Sequence, residues 1–253
     1  MSNHIHISTA DKVTTLTISR SDKKNALTQE MYGALANAMV AYDTGDDARA
    51  LVITGEGDMF TAGNDLDDFS MGGNADDEVP PVARFLNAIC DCEKPIIVAV
   101  NGPAIGVGLT MLLHADLVYA STSATFVAPF VKLGLVPEAA SSLLLPAAVG
   151  MAIANDILLA GRTLTADEAL QFGLVARVFA GDELQKSVQE IAQNIAGSAP
   201  NALKASKALI RNRRDAIVAQ MAAESKHFVS QLKSPDFSES VSAMKEKRRP
   251  FYA

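Results

Sequence analysis

Residues 13–19 alternate β-branched and apolar side chains with polar ones, and this period of two predicts a strand. A polar stretch over 20–24 ends it. Thr28 then stands as an N-cap before a helix carrying Met31, Leu35, Met39 and Tyr42 at helical spacing. A short apolar run, 50–54, reads as a second strand, closed by the turn Gly55-Glu56-Gly57-Asp58. Residues 67–81 are rich in Asp, Gly and Pro and are expected to form a mobile loop. Beyond it the pattern predicts a helix over 82–92, a buried strand over 95–100, a break at Asn101-Gly102-Pro103, a helix over 106–113 and a strand over 117–120. Strands alternating with helices imply βαβ units and a largely parallel sheet. Near Thr165 the pattern becomes helical, with alanine-rich segments at 166–172, 184–195, 201–211 and 216–232. The expected organisation is an α/β core over residues 1–195 and a helical C-terminal region over 196–253.

Composition narrows the class. With 253 residues, 49% of them apolar, the chain can bury a sizeable core. A net charge of −7 argues against a nucleic-acid or anionic-membrane surface, although Lys245, Lys247, Arg248 and Arg249 make one local basic group. The apolar runs are too short for a bilayer span, which takes about 20 residues. Neither nucleic acid nor membrane is an expected partner. Cys90 and Cys92 lack the further ligands zinc needs and stand too close for an unstrained disulfide, so two reduced thiols are expected. No basic-then-apolar leader opens the sequence, its last residues are not a peroxisomal tripeptide, and a cytoplasmic location is expected. His4 and His6 sit at a terminus expected to fray, and His114 is expected to be structural. No metal is assigned.

Three segments carry candidate chemistry. In Met59-Phe60-Thr61-Ala62-Gly63-Asn64-Asp65-Leu66 a strand end and a tight turn either leave a backbone N–H, such as that of Ala62, facing a cleft, or merely connect two elements. In Asn101-Gly102-Pro103-Ala104-Ile105-Gly106-Val107-Gly108-Leu109-Thr110 a buried strand passes through glycines into a helix, whose N-terminus presents unpaired N–H groups. An anion hole suits this loop better than a dinucleotide, because no ribose-binding acid is evident downstream. In Leu133-Gly134-Leu135-Val136-Pro137-Glu138-Ala139-Ala140-Ser141-Ser142 one carboxylate lies among small and apolar residues. Glu138 is either a desolvated base or a first-turn helix residue.

Taken in order, these segments, together with Lys24-Asn25-Ala26-Leu27 and Gly173-Leu174-Val175, resemble the crotonase (enoyl-CoA hydratase/isomerase) superfamily over nearly the whole chain. The resemblance implies a crotonase-like ββα spiral core with a C-terminal helical trimerisation region, assembled as a homotrimer or a dimer of trimers. It implies an acyl-CoA thioester as substrate, with coenzyme A part of that substrate and no separate cofactor. The family's oxyanion hole of two backbone N–H groups falls by position on Ala62 and Val107. Substrate contacts are expected at Lys24, Ala26, Gly63, Asn64, Asp65, Leu66, Gly106, Thr110, Phe130 and Pro137. Lys23, Lys24 and the C-terminal basic group either meet coenzyme A phosphates or are solvated surface charge.

The two glutamates with which family hydratases add water would stand at positions 110 and 130, where this chain has Thr110 and Phe130. Ordinary hydration is therefore not expected. Glu138 instead resembles the base of peroxisomal-type Δ3,Δ2-enoyl-CoA isomerases. The resemblance implies a double-bond shift from 3-enoyl-CoA to 2-enoyl-CoA by proton transfer through an enolate. Another crotonase-family reaction on a CoA thioester (a ring-substrate isomerase, a hydratase, or a dehalogenase or hydrolase with a nucleophilic carboxylate here) and a non-catalytic acyl-CoA-binding protein are the alternatives.

Overall fold

The structure, a computed structural model, describes residues 2–70 and 79–252. In chain order it comprises β1 (Ile5–Ala10), β2 (Val13–Ile18), α1 (Gln29–Thr44), β3 (Ala50–Gly55), α2 (Leu66–Ser70), α3 (Pro81–Asp91), β4 (Ile96–Val100), β5 (Ala104–Ile105), α4 (Val107–Thr110), β6 (Leu117–Ser121), β7 (Thr125–Val127), α5 (Ser141–Val149), α6 (Met151–Leu158), β8 (Leu164–Thr165), α7 (Ala166–Gln171), β9 (Arg177–Phe179), α8 (Leu184–Ala196), α9 (Pro200–Ile210), α10 (Arg214–Leu232) and α11 (Pro235–Lys245).

The main sheet has the order β1-β2-β3-β4-β6-β9, with β1 antiparallel to β2 and every later pair parallel. Its central strands are buried on both faces, as parallel strands covered by helices must be. Leu51, Ile53, Ile96, Val98 and Val100 point to one side and join Met31, Leu35 and Met39 of α1 and Phe85 of α3 in the larger core. Ala50, Val52, Ile97 and Ala99 point to the other, where Leu184, Val188 and Ala192 of α8 cover them. A smaller sheet, β5-β7-β8, stands beside this one.

The predicted strands and helices from 13 to 120 are present, with ends shifted by a residue or so; the 106–113 helix is α4 followed by a 3-10 turn over Met111–His114. Two expectations need correcting. The terminus expected to fray is the edge strand β1, paired along its whole length with β2. Five of its six side chains are exposed, so no apolar period marked it. The region read as helical beyond Thr165 also holds β9, a three-residue strand too short to show a period. Of the loop expected over 67–81, residues 71–78 lie outside the described residues. What precedes them is the helix α2, and α3 begins at Pro81, a first-turn proline. No described helix is long and apolar enough to cross a membrane.

Candidate active site

The first wall of the site is built by a turn around Asn25. Lys24 and Asn25 are both left-handed, with φ of 53° and 56°. Asn25 is fully buried, and its amide donates to the carbonyls of Glu56 (3.0 Å) and Met59 (2.7 Å) while its Oδ1 accepts the Arg20 N–H at 2.8 Å. The Thr61 hydroxyl donates to the Asn25 carbonyl at 2.6 Å. This knot sets Leu27 beside Asn64 as a short parallel bridge, with Leu27 N–H on Gly63 O (2.8 Å) and Asp65 N–H on Leu27 O (2.9 Å).

Accounting for each backbone N–H in this segment corrects one expectation. Thr61 N–H donates to Pro103 O at 3.2 Å, and Ala62 N–H donates to Lys24 O at 3.0 Å. Gly63 N–H donates to the Thr61 hydroxyl at 3.1 Å. Ala62 is thus already bonded and has no N–H to offer an oxyanion. Asn64 is the residue whose N–H finds no acceptor among the described residues, because in a parallel bridge the bridged residue turns its own N–H away from the partner. The sequence reading placed Asn64 at the site but gave the donor role to the residue two positions earlier.

The second wall is β5 and the start of α4. Thr61 bridges Ala104, and Ile105 N–H donates back to Thr61 O at 3.0 Å. Gly106 has φ 59° and ψ −117°, which a side chain would strain, and its N–H goes to Val127 O at 2.9 Å. Val107 is the first residue of α4, so its N–H has no partner inside the helix, and none is found among the described residues. The two walls touch. A Cβ on Gly63 (φ 88°) would stand 2.8 Å from Ile105 O and 3.9 Å from the Gly106 Cα. The residues just before the two unpaired N–H groups are therefore close neighbours, with no room for a side chain on Gly63.

The third element is Glu138. It lies ahead of α5, separated from it by the left-handed pair Ala139 and Ala140 (φ 57° and 56°). It is not a first-turn residue, and its carboxyl turns the other way. Thr110, fully buried three residues after Val107 on the same side of α4, donates its hydroxyl to Glu138 Oε1 at 2.5 Å. The residue is partly accessible, yet its carboxyl is deep enough for burial to push the pKa up to about 7. The Thr110 hydrogen bond pulls it down and the nearby charge of Glu224 adds to the rise. Tyr32 of α1 closes the circle. Its hydroxyl donates to Asn64 Oδ1 at 2.5 Å, and burial followed by the charge of Glu138 raises its own pKa well above the usual phenol value. Sequence reasoning missed Tyr32, which sits beside Met31 in the helical pattern and carried no separate signal.

The remaining expected contacts divide. Lys24 is exposed, and Ala26 is partly so; its carbonyl accepts Arg20 Nη1 at 3.0 Å. Leu66 and Pro137 are partly exposed, whereas Phe130 is buried in the main core. Asp65 is structural in its side chain: it pairs with Arg20 at 2.7 Å and accepts the Asp67 and Asp68 N–H groups at the start of α2. Burial raises its pKa, but these bonds outweigh that and leave it below the usual carboxylate value. His114 is structural as expected, its Nε2–H donating to Ala139 O at 2.8 Å. A cavity of about 520 Å³ lined by Leu112, Asp116, Leu144 and Leu174 shares none of these residues, and its one acid, Asp116, is held by Lys207 and Arg211.

Two backbone N–H groups without an acceptor among the described residues, one at the start of the helix whose Thr110 holds a desolvated carboxyl, are the parts needed to hold an enolate. The family model described as enoyl-CoA hydratase/isomerase matches residues 8–253. The chain belongs to the enoyl-CoA hydratase/isomerase family. A crystal structure of an enoyl-CoA hydratase/isomerase from Pseudoalteromonas atlantica superposes with a TM-score of 0.96 at 54% identity, covering 99% of this chain and all of that one. Among curated relatives, human enoyl-CoA delta isomerase 2 is 39% identical over 213 residues, 82% of this chain but 54% of its own length. This chain thus spans about half the length of that relative. Carnitinyl-CoA dehydratase of Salmonella typhi is 34% identical over 259 residues, all of this chain and 99% of its own. As a member of this family, the chain has the crotonase fold.

Proposed function

We propose that this chain is an enzyme that shifts a double bond in an acyl-CoA thioester from the 3- to the 2-position, with Glu138 as its single base. The observation that carries the reading is the desolvated Glu138 carboxyl, raised to about pKa 7 and fixed by Thr110 on the helix that also presents the Val107 N–H. Near neutral pH such a group is both sufficiently deprotonated and sufficiently basic.

The thioester oxygen is held by the N–H groups of Asn64 and Val107. As the C2 proton leaves to Glu138, negative charge develops on that oxygen, and each of two preorganised donors is worth about 3–4 kcal/mol in such sites. The dienolate then takes the same proton back at C4, so one carboxylate serves both steps if C2 and C4 lie on one face of the substrate. Lys24, Ala26, Gly63, Asp65 and Leu66 border the coenzyme A end, and Gly106, Thr110, Phe130 and Pro137 belong to the acyl end. The assembly is a homotrimer or dimer of trimers through the C-terminal helices, and the reduced thiols Cys90 and Cys92 suit the cytoplasm.

The test is incubation with 3-enoyl-, 2-enoyl- and 3-hydroxyacyl-CoA thioesters. The expected outcome is appearance of the conjugated 2-enoyl product from the 3-enoyl substrate, together with exchange of the α-proton into deuterated water. Both should fall about 10²–10⁴-fold in Glu138→Gln, which cannot accept the proton. The full-length similarity to carnitinyl-CoA dehydratase favours a second reading, removal of water from a hydroxyacyl-CoA. Loss of water from that substrate faster than isomerisation would establish it instead.

A further inference from the structure

The turn after Glu138 is held from outside its own segment. Left-handed backbone is unfavourable for a residue with a Cβ, so the consecutive pair Ala139 and Ala140 needs its surroundings to enforce it. Two groups do so. His114 binds the Ala139 carbonyl at 2.8 Å. Glu224 reaches in from α10, accepting Ala140 N–H at 2.6 Å, Ser142 N–H at 2.9 Å and the Ser142 hydroxyl. Gln220, one turn earlier on α10, donates to that hydroxyl at 2.8 Å. Glu224 is 6% exposed and has no cationic partner among the described residues. Backbone donors at the start of α5 are what stabilise its charge. A buried carboxylate without a counter-ion is destabilising in itself, and here it lies beside a second carboxyl.

We propose that Glu224 is a positioning residue for Glu138: through its bonds to Ala140 and Ser142 the C-terminal helix α10 holds the left-handed turn that follows Glu138 and brings a second carboxylate near it. This rests on the isomerase reading for its catalytic consequence. The ionisable groups around the turn are Tyr32 from α1, His114 from the turn after α4, Arg211 at the end of α9, which acts on His114, and Glu224. Burial keeps Tyr32 neutral and, aided by Arg211, lowers His114 to about 4 despite its bond to Ala139, so His114 is neutral as well. Glu224 is the like charge that bears on Glu138.

The test follows the Glu138 proton directly, as the infrared band of the protonated carboxyl that Glu138→Gln removes, alongside the pH profile of kcat. In Glu224→Gln the band should titrate at least about half a pH unit lower than in wild type, and the acid limb of kcat should move with it. A wild-type midpoint in the folded variant overturns the proposal. Glu224→Asp keeps the charge but withdraws the carboxylate from the turn by one methylene. Its plateau kcat should fall about 10-fold with KM within twofold, since small misplacements of a catalytic group are costly. Wild-type kcat in Glu224→Asp overturns the positioning role. If the band shifts as expected while no 3-enoyl-CoA is isomerised, the role of Glu224 stands and the isomerase reading is the one rejected.

Discussion

At Glu138 two opposing effects act on one proton. Burial raises the pKa to about 7 and the Thr110 hydroxyl lowers it, so removing that hydroxyl has a definite sign. Thr110→Val, similar in shape but without the donor, should raise the pKa further and move the acid limb of the kcat profile above pH 7. A limb that stays or moves down would show that the hydroxyl does not bind the ionised carboxyl. The same shift governs stability. An unfolded glutamate titrates near 4.5 and the folded one near 7, so between these values the native state keeps a proton the unfolded chain has lost. Stability from this group is complete below about pH 4.5 and is lost as pH rises through 7. Glu138→Gln removes that loss. It should be more stable than wild type at pH 8 by on the order of 3 kcal/mol at most, and near equal at pH 4.5, by denaturant unfolding at both values. Lower catalysis with higher stability is the pattern expected of a strained functional residue.

At the scale of elements, two loops from different parts of the chain are held in contact by backbone. Gly63→Ala places a Cβ 2.8 Å from Ile105 O at φ 88°, where the backbone itself is unfavourable. It should cost about 1 kcal/mol or more in stability and, by parting the Asn64 and Val107 donors, lower kcat/KM by roughly 10²-fold. A variant with wild-type kinetics would mean that these N–H groups do not act together. Asn25 is a structural counterpart: Asn25→Ala leaves the carbonyl of Glu56 and the Arg20 N–H without their partner and leaves Met59 O with only the longer 3.3 Å bond from Asn101. A stability loss of about 2–4 kcal/mol is expected, read as a lower thermal midpoint. The Lys24-Asn25-Ala26-Leu27 motif was visible in the sequence, but not that its asparagine ties three segments together. The elements that escaped the sequence reading share one cause. β1 has almost no buried face, β9 spans three residues, and the apolar residues of α5 and α6 are spread around the helix or over too few turns to show a stripe.

For the whole molecule, the sheet is closed on one face by α1 and α3 and on the other by α8, and the helices beyond α8 are left to serve other ends. Near the end of α9, Leu209 and Ile210 are 78% and 81% exposed. Such apolar exposure suits a surface covered by another subunit. The assembly proposed above predicts a trimer or its dimer by light scattering at micromolar concentration, and a monomer alone would contradict it. α10 also reaches back to the turn after Glu138 through Glu224, while Arg214 anchors its start to Asp91 of α3. The alternation of strands and helices over residues 13–120, the glycine-rich entry to α4 and the isolated acid at position 138 were legible in the sequence, because periodicity and backbone-permissive residues are local properties. Tertiary structure alone decided which N–H groups remain unpaired, moving the expected donor from Ala62 to Asn64. It also decided that Glu138 turns inward to Thr110 and that Tyr32 and Glu224 belong to its surroundings. These depend on which segments pair across the fold, and hydrogen-bond satisfaction and desolvation exist only once distant parts of the chain have been brought together.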